Sequence, residues 1–228
     1  MTDAPKFGFL CVGKNPLDLS VSIHCSHKLS GLLRHFGFMP GGCYTEIINT
    51  DDTNISIDKL SKSLRHLCLA NDMVMTIGNT GFSDFDVIPD VTDSVCTKKV
   101  SYFTNILCGS AEINISHHTY EKETLRINPD ITNFSYNIYN PSADEEKESF
   151  RLHPSRACAG IFDKTLILNM PANAKGAYTV TSAIITALWI VVYNISGKSA
   201  SYTFDYEKTL KSLPKFQEII NKKVIVNI

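Results

Sequence analysis

Three short apolar runs, at residues 7–12, 44–49 and 73–77, constrain this chain most, because segments of helical spacing separate them. The first run ends at Gly13-Lys14-Asn15-Pro16, after which Leu29, Leu32, Leu33 and Phe36 recur every three to four residues until Gly37. After the second run, Thr50-Asp51-Asp52-Thr53-Asn54 reads as a turn. Ile57, Leu60, Leu64, Leu67 and Cys68 then share one helical face, with Lys59, Lys62 and Arg65 between them. Strand, helix, strand, helix, strand in this order predicts an α/β fold: three layers, α/β/α, around a mostly parallel sheet. Ligands of such sheets collect at the carboxyl ends of the strands, so the loops there are the first place to look for a site.

Further along, residues 90–107 predict one helix. Residues 108–154 are rich in Asn, Ser, Thr and Glu without a sustained period, which marks an insertion. Residues 164–169, KTLILN, read as a buried strand and 171–176 as a loop. The stretch from Gly176 to Gly197 carries no charge, and its second half is apolar enough for a membrane span, but 177–182 is too polar for one. A buried helix is the expected reading. Residues 206–223 alternate apolar positions with lysines and predict a C-terminal helix. The expected organisation is one domain over residues 1–200, with the insertion at about 108–154, and a helical tail over 201–228.

Charge narrows the partners. With 22 basic and 23 acidic residues, no basic surplus points to nucleic acid or to an anionic membrane. Seven scattered cysteines and an N-terminus without a signal-peptide pattern predict reduced thiols and a cytoplasmic chain. His24-Cys25-Ser26-His27 and His117-His118 match no zinc spacing, and no G-x-G-x-x-G follows the first run.

The run Thr76-Ile77-Gly78-Asn79-Thr80-Gly81 is followed at fixed spacing by Asp86-Val87-Ile88-Pro89-Asp90-Val91-Thr92. Ser155-Arg156-Ala157-Cys158-Ala159-Gly160 comes later in the chain, and Lys164-Thr165-Leu166-Ile167-Leu168-Asn169-Met170-Pro171 follows it. Together these segments resemble the two signatures of the molybdopterin adenylyltransferase family, including the G-domain of gephyrin, and they occur in the family's order. The resemblance covers residues 6 to about 197 and implies a molybdopterin-binding domain. The activity implied is transfer of AMP from ATP to the phosphate of molybdopterin, with release of pyrophosphate. ATP and molybdopterin are then substrates and Mg²⁺ the cofactor; a homotrimer and an associated molybdate-insertion enzyme are the implied partners.

The resemblance assigns Gly78, Asn79, Thr80 and Gly81, with Ser30 and Gly31, to phosphate and nucleotide. Glycines let backbone amides approach phosphate oxygens, and a following helix start adds a favourable dipole. The same tetrapeptide also serves as a tight turn without any ligand. Asp51 and Asp86 are the implied catalytic residues and Mg²⁺ ligands, since a hard cation takes oxygen donors. Asp86 capping a helix and Asp51 in an Asx-turn are the ordinary alternatives. Pro171, Asn173, Lys175, Gly176 and Arg156 are implied at the pterin end. Lys175 equally suits a solvated loop, and Arg156 a pairing with a local carboxylate.

Four positions depart from the family pattern: Asn79 replaces a glycine, Lys28 an aspartate, Gly13-Lys14 a Ser-Asp pair, and Ala172 a glycine. They remove acidic contacts and crowd a loop that works by backbone approach, which leaves open a catalytically degenerate pterin-binding or scaffold protein of the same fold. On the enzymatic reading, Asp86→Asn is expected to abolish adenylylation and leave the fold intact; equal turnover by the variant would remove Asp86 from the mechanism.

Overall fold

The computed structural model describes residues 4–48, 52–108 and 155–198. The expected insertion beyond Cys108 and the expected C-terminal helix lie outside the described residues. The elements run β1 (Lys6–Gly13), α1 (Pro16–His35), β2 (Met39–Ile47), α2 (Thr53–Ala70), β3 (Met73–Ile77), α3 (Ile88–Val95), β4 (Lys98–Lys99), α4 (Ser101–Leu107), β5 (Ala159–Phe162), β6 (Thr165–Met170) and α5 (Ala174–Ser196). They build a six-stranded sheet of order β2-β1-β3-β6-β5-β4. The first three pairings are parallel, whereas β5 and β4 join antiparallel.

Burial on both faces explains the unbroken apolar runs. Successive side chains of a strand point to opposite faces. Phe7, Phe9 and Cys11 of β1 enter one core with Leu29, Leu32 and Leu33 of α1 and Ile184 and Leu188 of α5. Leu10 and Val12 enter the other, with Leu60 and Leu64 of α2 and Val91 of α3. The uncharged segment is therefore a core helix. By length and composition α5 is apolar enough to cross a membrane, but Ala177, Leu188 and Val192 are fully buried and Val180 and Ile184 nearly so.

Two sequence readings need correction. The helix expected over 90–107 is split, because the chain turns extended at Cys96 (φ −68°, ψ 136°). Thr97 and Val100 then donate their amides to the carbonyls of Ile161 and Ala159, at 2.8 and 2.9 Å. A sheet edge thus outcompetes continuation of the helix. The partner strand β5 was not anticipated; it forms a hairpin with β6 in which Phe162 faces Thr165 across Asp163-Lys164. Asp163 adopts the left-handed φ of 53° that such a tight turn favours. In addition, β2 starts at Met39 rather than Tyr44, with an irregularity in its pairing opposite Phe7 to Phe9.

The centre of the sheet is pinned by one side chain. Asn169, on β6 and fully buried, donates to the hydroxyls of Thr76 (3.0 Å) and Thr92 (2.7 Å). Its carbonyl oxygen accepts from the Cys158 amide at 2.9 Å and from the Cys158 thiol at 3.2 Å. Both threonines are themselves fully buried. β3, α3 and the start of β5 are thereby fixed to β6 in one step. Buried polar groups left without partners cost about 1–3 kcal/mol each. Asn169→Ala is therefore expected to destabilise the protein by about 3 kcal/mol or more, read as a lowered urea midpoint at unchanged slope; a loss below about 0.5 kcal/mol would show that the network is dispensable.

Candidate functional site

Because β1, β3 and β6 are adjacent and parallel, the loops after Gly13, Ile77 and Met170 emerge side by side at one edge of the sheet. The first crossover leads from β1 to one side and the return to β3 leads to the other, so this edge is also a topological switch point. Between the loops lies a cavity of about 240 Å³, lined by Val12 and Lys14 after β1, Asp18, Val21 and Ser22 on α1, Gly78, Asn79 and Asp86 after β3, and Ala172 after β6. The amino ends of α1 and α5 lie at the same edge. Each is capped by an asparagine: Asn15 accepts from the Asp18 amide at 2.9 Å, and Asn173 from the Lys175 amide at 3.1 Å.

The loop after β3 is held in one shape. Gly78 has φ +96°, and a Cβ there would meet the Val12 carbonyl oxygen at 2.5 Å, so both backbone angle and packing require glycine. Asn79 follows in the left-handed region at φ 53°. Its side chain donates to the Phe85 carbonyl at 3.2 Å, which braces the loop. The cavity persists beside it. The Thr80 carbonyl accepts from the Arg156 amide and from the Ser155 hydroxyl, at 2.9 and 3.1 Å, which ties the second sequence signature onto the first. At Gly81 a Cβ would stand 2.8 Å from the Asp86 carboxylate, so glycine lets that group close in.

Asp86 caps no helix, since α3 starts from Val87 without a side-chain cap. Its Oδ2 accepts from the Ser83 amide at 2.9 Å and from the Ser83 hydroxyl at 2.5 Å. Lys14 Nζ stands 3.8 Å from Oδ1 and 3.1 Å from the Ser83 hydroxyl oxygen. Burial would raise the carboxyl's pKa, but the Ser83 hydrogen bonds, the Lys14 charge and the Gly81 amide outweigh it and hold the group below the ordinary carboxylate value. Asp86 is therefore ionised and fully engaged.

The remaining sequence candidates divide. Pro171 accepts a weak hydrogen bond from the Cys25 thiol and Asn173 spends its carbonyl on the α5 cap, while Ala172 between them, one of the four departures, reaches the cavity. Lys175 is exposed and Gly176 buried in the first turn of α5. Arg156 takes the local pairing: it forms an ion pair with Asp90 and reaches the Asp86 carbonyl at 3.4 Å. Ser30 and Gly31 lie in the second half of α1, about 12 Å of helix rise beyond Ser22, and do not line the cavity. Lys28 is buried on the same distant half. Asp51 lies outside the described residues; its neighbour Asp52 is the α2 cap, accepting from the Asn54 and Ile55 amides.

Of the two residues that the resemblance assigns to Mg²⁺, Asp86 is described and Asp51 is not. Among the described residues no group of three or more His, Cys, Asp or Glu side chains is arranged to hold a metal, and Asp86 already faces an ammonium and two Ser83 donors. Sequence reasoning missed Ser83 and the role of Lys14. The signal for Ser83 was its position three residues before an aspartate in a loop, a spacing at which short polar side chains bond locally.

No family profile matches this chain, and no curated protein sequence does. Solved structures do. The molybdopterin biosynthesis enzyme MoaB of Thermus thermophilus aligns with a TM-score of 0.60 at 17% identity, over 85% of this chain and 98% of its own. A molybdopterin biosynthesis protein of Mycobacterium abscessus gives 0.55 at 15% identity, over 85% and 97%. The tungsten cofactor synthesizing protein MoaB of Pyrococcus furiosus gives 0.51 at 14%, over 86% and 99%. At these identities the likeness is one of architecture, and the chain carries the α/β fold of the MoaB/MogA-type molybdopterin-biosynthesis proteins.

Proposed function

We propose that this chain serves molybdenum cofactor biosynthesis by binding the phosphate end of molybdopterin in the cavity between the β1, β3 and β6 loops, and that AMP is transferred from ATP to that phosphate with release of pyrophosphate. One observation carries the reading: Gly78, Asn79, Asp86 and Ala172, all from the two family signatures or their immediate neighbours, line the same hollow. At about 240 Å³ it is smaller than a pocket that encloses a whole drug-sized ligand, and its size suits a phosphate group with the rest of the ligand lying outside. The absence of a side chain on Gly78, two helix amino ends and the Lys14 ammonium all favour negative charge there. The sequence-based extensions belong to the same proposal: a single domain over residues 1–200, a cytoplasmic homotrimer and a molybdate-insertion enzyme as partner.

A second reading, binding without turnover, is favoured by the engagement of Asp86 with Ser83 and Lys14. What the chain's own groups do on either reading is orient the phosphate: the Gly78 loop sets its depth, and the charges at the rim set its side.

Incubating the purified full-length protein anaerobically with molybdopterin and ATP separates the readings. Pyrophosphate release that requires molybdopterin supports transfer, whereas stoichiometric pterin binding without pyrophosphate supports the second reading. Failure to bind molybdopterin at all defeats both. Gly78→Ala is expected to cost about 2 kcal/mol of stability, from the left-handed angle and the Val12 clash, and to weaken molybdopterin binding about tenfold or more. Unchanged binding by a folded Gly78→Ala protein would place the phosphate elsewhere.

A further inference from the structure

Among the residues that line this cavity, Lys14 is the one that brings a cationic side chain, and its setting is specific. The ammonium lies 3.1 Å from the Ser83 hydroxyl oxygen, 3.8 Å from Asp86 Oδ1 and 5.8 Å from the centre of the Phe85 ring. Ser83 meanwhile donates both its amide and its hydroxyl to Asp86 Oδ2. The carboxylate thus has a neutralising charge on one oxygen and two donors on the other. The other acid at the rim, Asp18, is turned to the Asn15 amide at 3.1 Å and sits in the first turn of α1, where the helix end stabilises it.

Exposure decides which member of the pair an incoming ligand meets. The Lys14 side chain is 36% exposed and that of Asp86 12%. A phosphate entering the cavity therefore encounters the ammonium, with the carboxylate behind it. An ammonium held at this point carries positive charge to the same place where a carboxylate-bound Mg²⁺ would carry it, and the two compete for the same Asp86 oxygen. Lysine is also suited to phosphate as a point charge with rotatable donors.

We propose that Lys14 is the built-in counter-cation of this pocket: its ammonium contacts the ligand's phosphate directly, and phosphate binding by this chain needs no divalent metal. The proposal rests on the phosphate-pocket reading above. Asp86 is then the residue that holds Lys14 in place and is not a metal ligand.

Calorimetry on the full-length protein tests this, with inorganic pyrophosphate as probe, in EDTA and in Mg²⁺. The wild type is expected to bind in EDTA, with an affinity within about threefold of that in Mg²⁺. Lys14→Met is expected to lose about 10- to 100-fold in EDTA, the loss of a charge-assisted hydrogen bond, while Lys14→Arg, which keeps the charge, retains binding. Asp86→Asn, which loses the carboxylate that holds the ammonium, is expected to change binding by the same factor in EDTA and in Mg²⁺. Circular dichroism of each variant checks that it is folded. Binding by the wild type only when Mg²⁺ is present, with loss in Asp86→Asn, would overturn the proposal and leave the phosphate pocket standing. No pyrophosphate binding by the wild type under either condition would overturn the proposal and the pocket together.

Discussion

The amide of Asn169 sets the geometry on which the rest depends. It lies in a fully buried layer where each unpaired donor or acceptor is costly, so its partners have essentially one arrangement. Thr76 on β3, Thr92 on α3 and the Cys158 backbone must all meet it. Those contacts fix where β3 ends relative to β6. The ends of these strands, with β1 beside them, position the Gly78 loop, Ala172 and Lys14. A polar network in the core is thus the frame of a polar site at the rim, two residues further along the chain in the case of Gly78.

Inside that frame the site is a balance of charge in a confined space. Asp86 is brought close by the missing side chain at Gly81, and such a carboxylate needs a compensating cation or strong donors. This chain supplies both internally, through Lys14 and Ser83. Lys14 stands where the pattern that the sequence resembles has an aspartate, so the charge at the end of β1 is reversed. Two asparagine-capped helix starts add partial positive charge at the same edge.

Much of the fold was legible in the sequence because a parallel sheet with both faces covered writes itself as short continuous apolar runs, and its crossovers as amphipathic helices. β1, β3, β6, α1 and α2 all carried that signal. β5 and β4 did not: four and two residues long, they are strands through pairing alone, β5 with β6 and β4 with β5, where Ala159 and Ile161 offer carbonyls to Val100 and Thr97. Pattern alone cannot distinguish such an edge from the turn of a helix. At the site, the Gly78 turn was legible from its residue types and spacing. Ser30 and Gly31 lie away from the cavity, since a short Ser-Gly match says nothing about position along a twenty-residue helix. Arg156 suited either an anion or a carboxylate by residue type, and its partner Asp90 is distant in sequence. The role of Lys14 was hidden for the same reason, as its contacts Ser83 and Asp86 lie some seventy residues away.

The most direct test of the account is a crystal structure of the full-length protein grown with pyrophosphate and Mg²⁺. The account predicts a phosphate oxygen within about 3 Å of the Lys14 ammonium, above Gly78, with Asp86 still bonded to Ser83 and no metal on its carboxylate. A metal bridging Asp86 to the phosphate, with Lys14 swung away, would contradict it.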